Sequence, residues 1–328
     1  MTAADPGLVA GFDAGQTHTR CRLARACPDR PPEDWPVLAE TEGPGVCHIA
    51  APGGEERFRR ALRRSLQQAL DALGPQPPPL GAAGIGASGI EQGTPVQERG
   101  EVLAAAALGL AADQVVVTGD ERTALRGAFG AAAGILVISG TGTIAVGQNG
   151  QGRQHRCGGW GWLLDGAGSA CDIGRDGLAL TLRMADGRLP EAPLRQRLWG
   201  GLGLDPADPL APQRIKALVV AAGFGPADFA RLAPLVEEEA RRGDGGATRI
   251  VERSARALAE LVAGVAARLE LEEVAVVGSG GALNHLEELR RRFQGALADR
   301  LPRTSLTEPR GDACAGALAL AAERLRRR

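Results

Sequence analysis

Lysine is almost absent from this sequence. Lys216 is the only one, and arginine carries nearly all the positive charge. That removes two nucleotide-binding devices. A Walker A loop needs Gly-Lys-Ser/Thr, and Lys216 stands in QRIKALV with no glycine beside it; the VAIK lysine of protein kinases is missing too. Tyrosine is absent and alanine abundant, a bias that reads as codon usage rather than function. Six cysteines, at 21, 27, 47, 157, 171 and 314, form no Cys-x-x-Cys and no zinc-ribbon spacing, and the four histidines are scattered, so no zinc site is expected. Without a recognisable signal peptide or an apolar run of about 18 residues, the expectation is a cytoplasmic protein with free thiols and no membrane association. The net charge of −1 gives no basic field for nucleic acid. The one basic run, RLRRR at 324–328, reads as a solvated helix end favoured by the helix dipole.

What is present is globular. The 328 residues are 44% hydrophobic and 23% charged, enough for one large domain or two ordinary ones. LVAGFD is a short apolar strand, and THTRCRLARA alternates as a half-buried strand does. PDRPPEDW reads as a proline-rich surface loop. Phe58, Leu62, Leu66, Ala69, Leu70 and Leu73 fall at spacings of three and four, one stripe of an amphipathic helix stopped by Gly74 and Pro75. A glycine-rich buried strand (LGAAGIGASG), a helix, the strand QVVVTGD and the helix ERTALRGAFGA follow. GILVISGTGTIAVGQ then repeats the opening pattern of strand, Gly/Thr turn and returning strand about 127 residues later, which suggests two similar α/β halves. Residues 185 to 245 read as a largely helical insertion. A long helix over 247–270, a strand leading into GSGG and a helix, a short strand and a closing helix complete the chain.

A nucleoside triphosphate bound without lysine must be held by backbone N–H groups, hydroxyls and a metal. Glycine turns admit phosphate because no Cβ intervenes. Two Gly/Thr hairpins, GFDAGQTHTR and SGTGT, suit a β/γ-phosphate tail, and Gly278-Ser279-Gly280-Gly281 suits a purine or α-phosphate close to backbone. Asp13 at the first turn could orient Mg²⁺, directly or through water. Each turn alone is a weak signal; three in this order, each after an apolar strand, point to phosphate. Asp120 ends a strand and opens a helix. One reading is an N-cap, with a threonine three residues on. The other is a carboxylate that accepts a proton from, or orients, a substrate hydroxyl during in-line transfer. In CGGWGWLLDGAGSACDIGRDGL, residues 157 to 178, a tryptophan on a glycine-rich loop suits a sugar ring or a small substrate; the plainer reading is a packed loop with aromatic anchors.

In order along the chain, FDAGQTHT, VVVTGDERTALRGAFG, GILVISGTGTIAVGQNGQGR, CGGWGWLLDGAGSACDIGRDGL, VAVVGSGG and PRGDACAGALALA resemble the N-acetylglucosamine kinase / BadF-BadG-BcrA-BcrD ATPase family of the actin, heat-shock chaperone and sugar-kinase superfamily. The resemblance implies an α/β protein of two ribonuclease-H-like lobes, an actin-like ATPase fold, with ATP and Mg²⁺ in the cleft between them. The lobes would be 1–118, on which a closing helix 311–328 packs back, and 119–310. It implies phosphate contacts at Asp13, Gly15, Gln16 and Thr17 and at Thr141, Gly142 and Thr143, adenosine contacts at Gly278, Gly280 and Gly281, and a catalytic acid at Asp120. Cys47, His48, Asp120, Gly159, Trp160 and Asp165 would line an amino-sugar pocket, and relatives imply a homodimer.

The departures fall on the acceptor side. The family has Asn-Asp where this chain has Gly119-Asp120, and Gly-Asp-Glu-Gly-Ser where it has Asp165-Gly166-Ala167-Gly168-Ser169. Near residue 46, where relatives have an asparagine that touches the sugar, this chain has Val46, Cys47 and His48, with Cys47 in the place of the asparagine. A pocket that loses hydrogen-bond partners loses discrimination for the group they held. The resemblance leaves two further readings open: an ATPase activator of a reductase or dehydratase system, which needs iron–sulfur cysteines, and a non-catalytic ATP-binding relative.

Overall fold

A computed structural model describes residues 7–27 and 30–326. Pro28 and Asp29 of the proline-rich segment and Arg327 and Arg328 of the basic tail lie outside the described residues. The chain divides into two compact units, one drawn from Met1–Ala132 and Glu308–Arg328, the other Ala133–Thr307. The first begins with β1 (Leu8–Ala14), β2 (His18–Arg25), β3 (Val37–Pro44), α1 (Gly54–Asp71), β4 (Leu80–Ala87), α2 (Pro95–Leu108), β5 (Val115–Gly119) and α3 (Asp120–Phe129). The second holds β6 (Gly134–Ser139), β7 (Thr143–Gln148), β8 (Gln154–Gly158), α4 (Ala170–Ala185), α5 (Pro193–Gly201), α6 (Ala211–Val219), α7 (Pro226–Ala230), α8 (Ala233–Arg241), α9 (Gly245–Leu269), β9 (Val274–Ser279), α10 (Gly281–His285), α11 (Glu287–Arg300) and β10 (Thr304–Leu306). The chain then returns to the first unit with α12 (Ala313–Arg326).

The first sheet has the order β3-β2-β1-β4-β5, with β1, β2 and β3 antiparallel in sequence and β4 and β5 parallel to β1. β1 is central, so both its faces are covered and its run is apolar up to Asp13 near its carboxyl end. α1 and α2 bury Phe58, Leu62, Leu66, Leu103 and Leu108 on one face. α12 crosses the other, where Gly11 and Gly84 leave room: a Cβ at either would overlap α12 backbone at Cys314 or Ala317. α3 lies along α12 and joins this unit. The boundary expected after residue 118 therefore falls after 132, because packing on α12 outweighs chain order.

Two segments depart from the sequence reading. β3 forms an edge strand in a stretch whose exposed residues give no apolar alternation. The proline-rich loop carries a buried Trp35, whose indole N–H donates to Cys27 O (2.9 Å) and Arg30 O (3.1 Å), so it is anchored rather than purely surface.

The second sheet, β10-β9-β6-β7-β8, repeats the first: β6 pairs antiparallel with β7, β7 with β8, and β9 and β10 run parallel to β6. The repeat read from the two Gly/Thr hairpins is thus a repeat of whole sheets. α9 covers β6 to β8, and α11 packs along α9. Arg292 links these helices by pairing with Glu252 and Glu288. Arg291 and Arg292 hold the Glu288 carboxyl down at about 2, against an ordinary 4.5. A depressed carboxylate stabilises above its ordinary pKa, and that stability is lost as pH falls through the folded value. Glu288→Gln is expected to cost about 1 kcal/mol at pH 7 after allowance for solvent screening. Thermal melts at pH 7 and pH 3 check this: the gap between variant and wild type narrows as pH falls from about 4.5 towards 2.

Candidate active site

In the first unit, Gly15 N donates to His18 O (3.0 Å) and closes the turn after β1. Gln16 and Thr17 are exposed at its tip. Two segments meet this turn. Val46 N donates to Gly15 O (2.9 Å), and Gly45 lies so close to the backbone of Gln16 and Thr17 that a Cβ would overlap it. Ser88 N donates to Ala14 O (3.0 Å). Half-buried Cys47 and exposed His48 are thereby brought beside the turn. His48 Nδ1 accepts from Ala50 N (3.2 Å), and its ring lies against Gly89.

Asp13 and Asp120 stand at the same end of the sheet, Asp13 near the carboxyl end of β1 and Asp120 directly after β5, with β4 between the two strands. Open α/β sheets bind ligands at such edges. Asp120 is half-buried, and burial together with the charge of Asp13 holds its carboxyl above the usual aspartate range. Its Oδ1 accepts from Glu121 N (2.9 Å). The N-cap reading of Asp120 is corrected. Gly119 is the cap, Asp120 is the first helical residue, and Thr123 donates its hydroxyl back to Asp120 O (2.9 Å).

Sequence reasoning missed the ionic chain behind this turn. Asp13 receives Arg20 Nη2 at 2.8 Å, Arg20 Nη1 donates to Asp312 at 3.1 Å, and Arg22 makes two bonds of 2.8 Å to Asp312. The available signal was the tight turn itself, which sets Asp13 opposite Arg20 across the β1–β2 ladder.

In the second unit, Gly140 N donates to Gly142 O (2.9 Å) in the β6–β7 turn. Thr141 and Gly142 are exposed, and a Cβ on Gly142 would meet no atom within 4 Å. Thr143 differs from the expectation: it is buried, and its hydroxyl donates to Ala167 O (3.2 Å), since a side chain entering β7 points into the sheet rather than to the turn tip. Ser139 donates to Gly168 O (2.7 Å), and Ala170 N to Gly140 O (2.8 Å). These bonds tie the glycine-rich loop to the turn. Gly280, at φ +92, lies against the Ser139 backbone, where a Cβ would overlap it; Gly281 is open and Gly278 exposed. The SGTGT and GSGG turns are thus side by side.

The loop from 158 uses left-handed glycines at 158, 159, 161 and 168. Trp160 is 61% exposed, with the Arg156 guanidinium 4.5 Å from its ring centroid. Asp165 N donates to Gly161 O (2.8 Å), and its carboxylate folds back beside Gly158. Buried Asp172, pairing with Arg175 and Arg253, braces the loop through Arg175, which donates to Trp162 O (3.3 Å). That buried acid carried no signal in the sequence motif.

Each unit by itself presents a turn suited to phosphate: exposed Gln16 and Thr17 in the first, and exposed Thr141 with open Gly142 and Gly281 in the second, offer N–H and O–H donors with no side chain in the way. Among the described residues no cluster of three or more His, Cys, Asp or Glu could cage a metal. One Asp13 oxygen engages Arg20, leaving the other for a metal-bound water, which fits Mg²⁺ carried mainly by phosphates.

An N-acetylmuramic acid/N-acetylglucosamine kinase of Clostridium acetobutylicum is 27% identical over 316 residues, 95% of this chain and 97% of that protein. An N-acetyl-D-glucosamine kinase of Dictyostelium discoideum is 31% identical over 196 residues, 57% of this chain and 59% of that one. A solved structure from Chromobacterium violaceum, provisionally named an N-acetylglucosamine kinase, superposes with a TM-score of 0.74 at 28% identity, covering 96% of this chain and 99% of that one. A ROK-family hexokinase structure from Thermus thermophilus, 17% identical with a TM-score of 0.56 over 96% and 97% of the two chains, shares the fold alone. The fold is α/β of the actin-like ATPase type, with two ribonuclease-H-like units. The family model that matches residues 10–321 settles the grouping: the chain belongs to the BadF/BadG/BcrA/BcrD ATPase family.

Proposed function

We propose that this chain is a sugar kinase that transfers the γ-phosphoryl group of ATP to a hydroxyl of an amino sugar, N-acetylglucosamine or a glucosamine-like compound. The observation that carries this is Asp120, a half-buried carboxyl of raised pKa at the sheet edge that also presents the Asp13 turn. The names of the relatives support the acceptor class.

Asp120 accepts the proton of the acceptor hydroxyl as its oxygen attacks the γ-phosphorus in line. A new O–P bond forms, the bond to the bridging oxygen of ADP breaks, and ADP leaves with that electron pair. Gly15, Gln16 and Thr17, with Thr141 and Gly142, donate to phosphate oxygens. Gly278, Gly280 and Gly281 let the adenosine approach backbone. Thr143 acts indirectly, by bracing the loop at Ala167. Bound Mg²⁺, which Asp13 would hold through water, supplies charge neutralisation. Trp160 stacks on the sugar, and Cys47, His48, Gly159 and Asp165 line its pocket. A cytoplasmic homodimer belongs to the same reading.

The test is ADP release with Mg²⁺ and a panel of N-acetylglucosamine, glucosamine, N-acetylmuramic acid and glucose. At least one amino sugar is expected to stimulate release well above glucose. The altered 165–169 loop predicts discrimination between N-acetylglucosamine and glucosamine within about tenfold. ADP release indifferent to every sugar would contradict the proposal.

A further inference from the structure

We propose that Arg20 is a positioning residue of the first phosphate turn, which holds the Asp13 carboxylate in place and supplies the fixed positive charge that this lysine-poor site otherwise lacks. The inference rests on the nucleotide-binding reading above.

The register sets Arg20 directly across from Asp13, and alternation along β2 puts Arg20 and Arg22 on one face while Thr19, Cys21 and Leu23 are buried on the other. The two arginines are not equivalent. Arg22, its side chain 16% exposed, takes Asp312 through both terminal nitrogens at 2.8 Å and Glu40 through Nε at 2.7 Å. It is held from two sides by structural acids. Arg20, 35% exposed, reaches Asp312 with one nitrogen and Asp13 with another. Asp312 is itself fixed, because its Oδ1 accepts from Ala315 N (3.0 Å) at the start of α12. The Arg20 guanidinium is therefore anchored on Asp312 through Nη1 while Nη2 holds Asp13.

That end needs a cation. Asp13 and Asp120 are both acids at one end of the sheet, and burial, with the charge of Asp13 after it, raises Asp120. A polyphosphate brought to the turn adds more negative charge. A guanidinium in a fixed bond to Asp13 offsets this without reorganisation when the nucleotide arrives. Among the described residues, Asp13 Oδ1 has no hydrogen-bond partner, so the arginine orients the carboxylate and leaves one oxygen open.

The experiment measures binding by calorimetry on the full chain, with the non-hydrolysable AMPPNP and Mg²⁺ in one arm and N-acetylglucosamine in the other. Variants are Arg20→Met, which keeps the stem and removes the charge, Arg20→Lys, and Arg22→Met as the structural comparison. Arg20→Met is expected to weaken AMPPNP·Mg binding about tenfold and raise the Mg²⁺ concentration at half-saturation. Sugar affinity stays within about twofold, and Arg20→Lys recovers part of the loss. Arg22→Met lowers Tm more than Arg20→Met and leaves nucleotide affinity near wild type. Nucleotide affinity unchanged in Arg20→Met, beside a wild type that binds, overturns the inference alone. So does a parallel loss of sugar and nucleotide affinity that tracks Tm. A wild type that fails to bind AMPPNP·Mg overturns both the inference and the kinase reading.

Discussion

Asp120→Asn is expected to lower kcat about a thousand-fold while AMPPNP binding stays within about twofold, because a general base contributes 10²–10⁴ to the chemical step. The substitution keeps the shape of the side chain, and the carbonyl oxygen of asparagine still accepts from Glu121 N at the start of α3. What is lost is the proton acceptor. The raised carboxyl also fixes the pH behaviour. A base works only when ionised, so the acid limb of the wild-type kcat profile lies above the ordinary aspartate range, and activity falls as pH drops through it. In Asp120→Asn that limb disappears from the residual rate. Single-turnover phosphoryl transfer across pH measures both effects. A variant with wild-type turnover would move the base elsewhere.

The second large effect is Gly280→Ala. At φ +92 an L-residue is strained, and the added methyl runs into the Ser139 backbone. Together these are expected to cost about 3 kcal/mol and to abolish nucleotide binding, since relief of the overlap pushes the GSGG and SGTGT turns apart. Gly142→Ala is the control. Its methyl meets no atom within 4 Å, so Tm is expected within a few degrees of wild type. It nevertheless occupies the space assigned to phosphate, so ATP affinity falls. Differential scanning calorimetry with nucleotide titration separates the two. Equal melting of Gly280→Ala and wild type would show that the turns tolerate separation.

The sequence made the hairpins legible because a glycine turn between apolar strands is a local signal. Two such hairpins announced the first strands of both sheets. The edge strand β3 was hidden because its residues are mostly exposed and carry no alternation. The link from Arg20 to Asp312 spans 292 positions, and no periodicity encodes a partner that distant. Thr143 and Thr141 look identical in SGTGT, yet strand entry buries one and leaves the other exposed. Asp120 was found by its place after a strand, but its helix position was read one residue early, because Gly119 caps without any side chain.

The most direct measurement is ³¹P NMR of the purified chain incubated with ATP, Mg²⁺ and an amino sugar. The account predicts one equivalent of a sugar phosphomonoester for each ADP formed, and none with Asp120→Asn. ADP appearing with inorganic phosphate alone, at a rate indifferent to sugar, would contradict it and identify an ATPase instead.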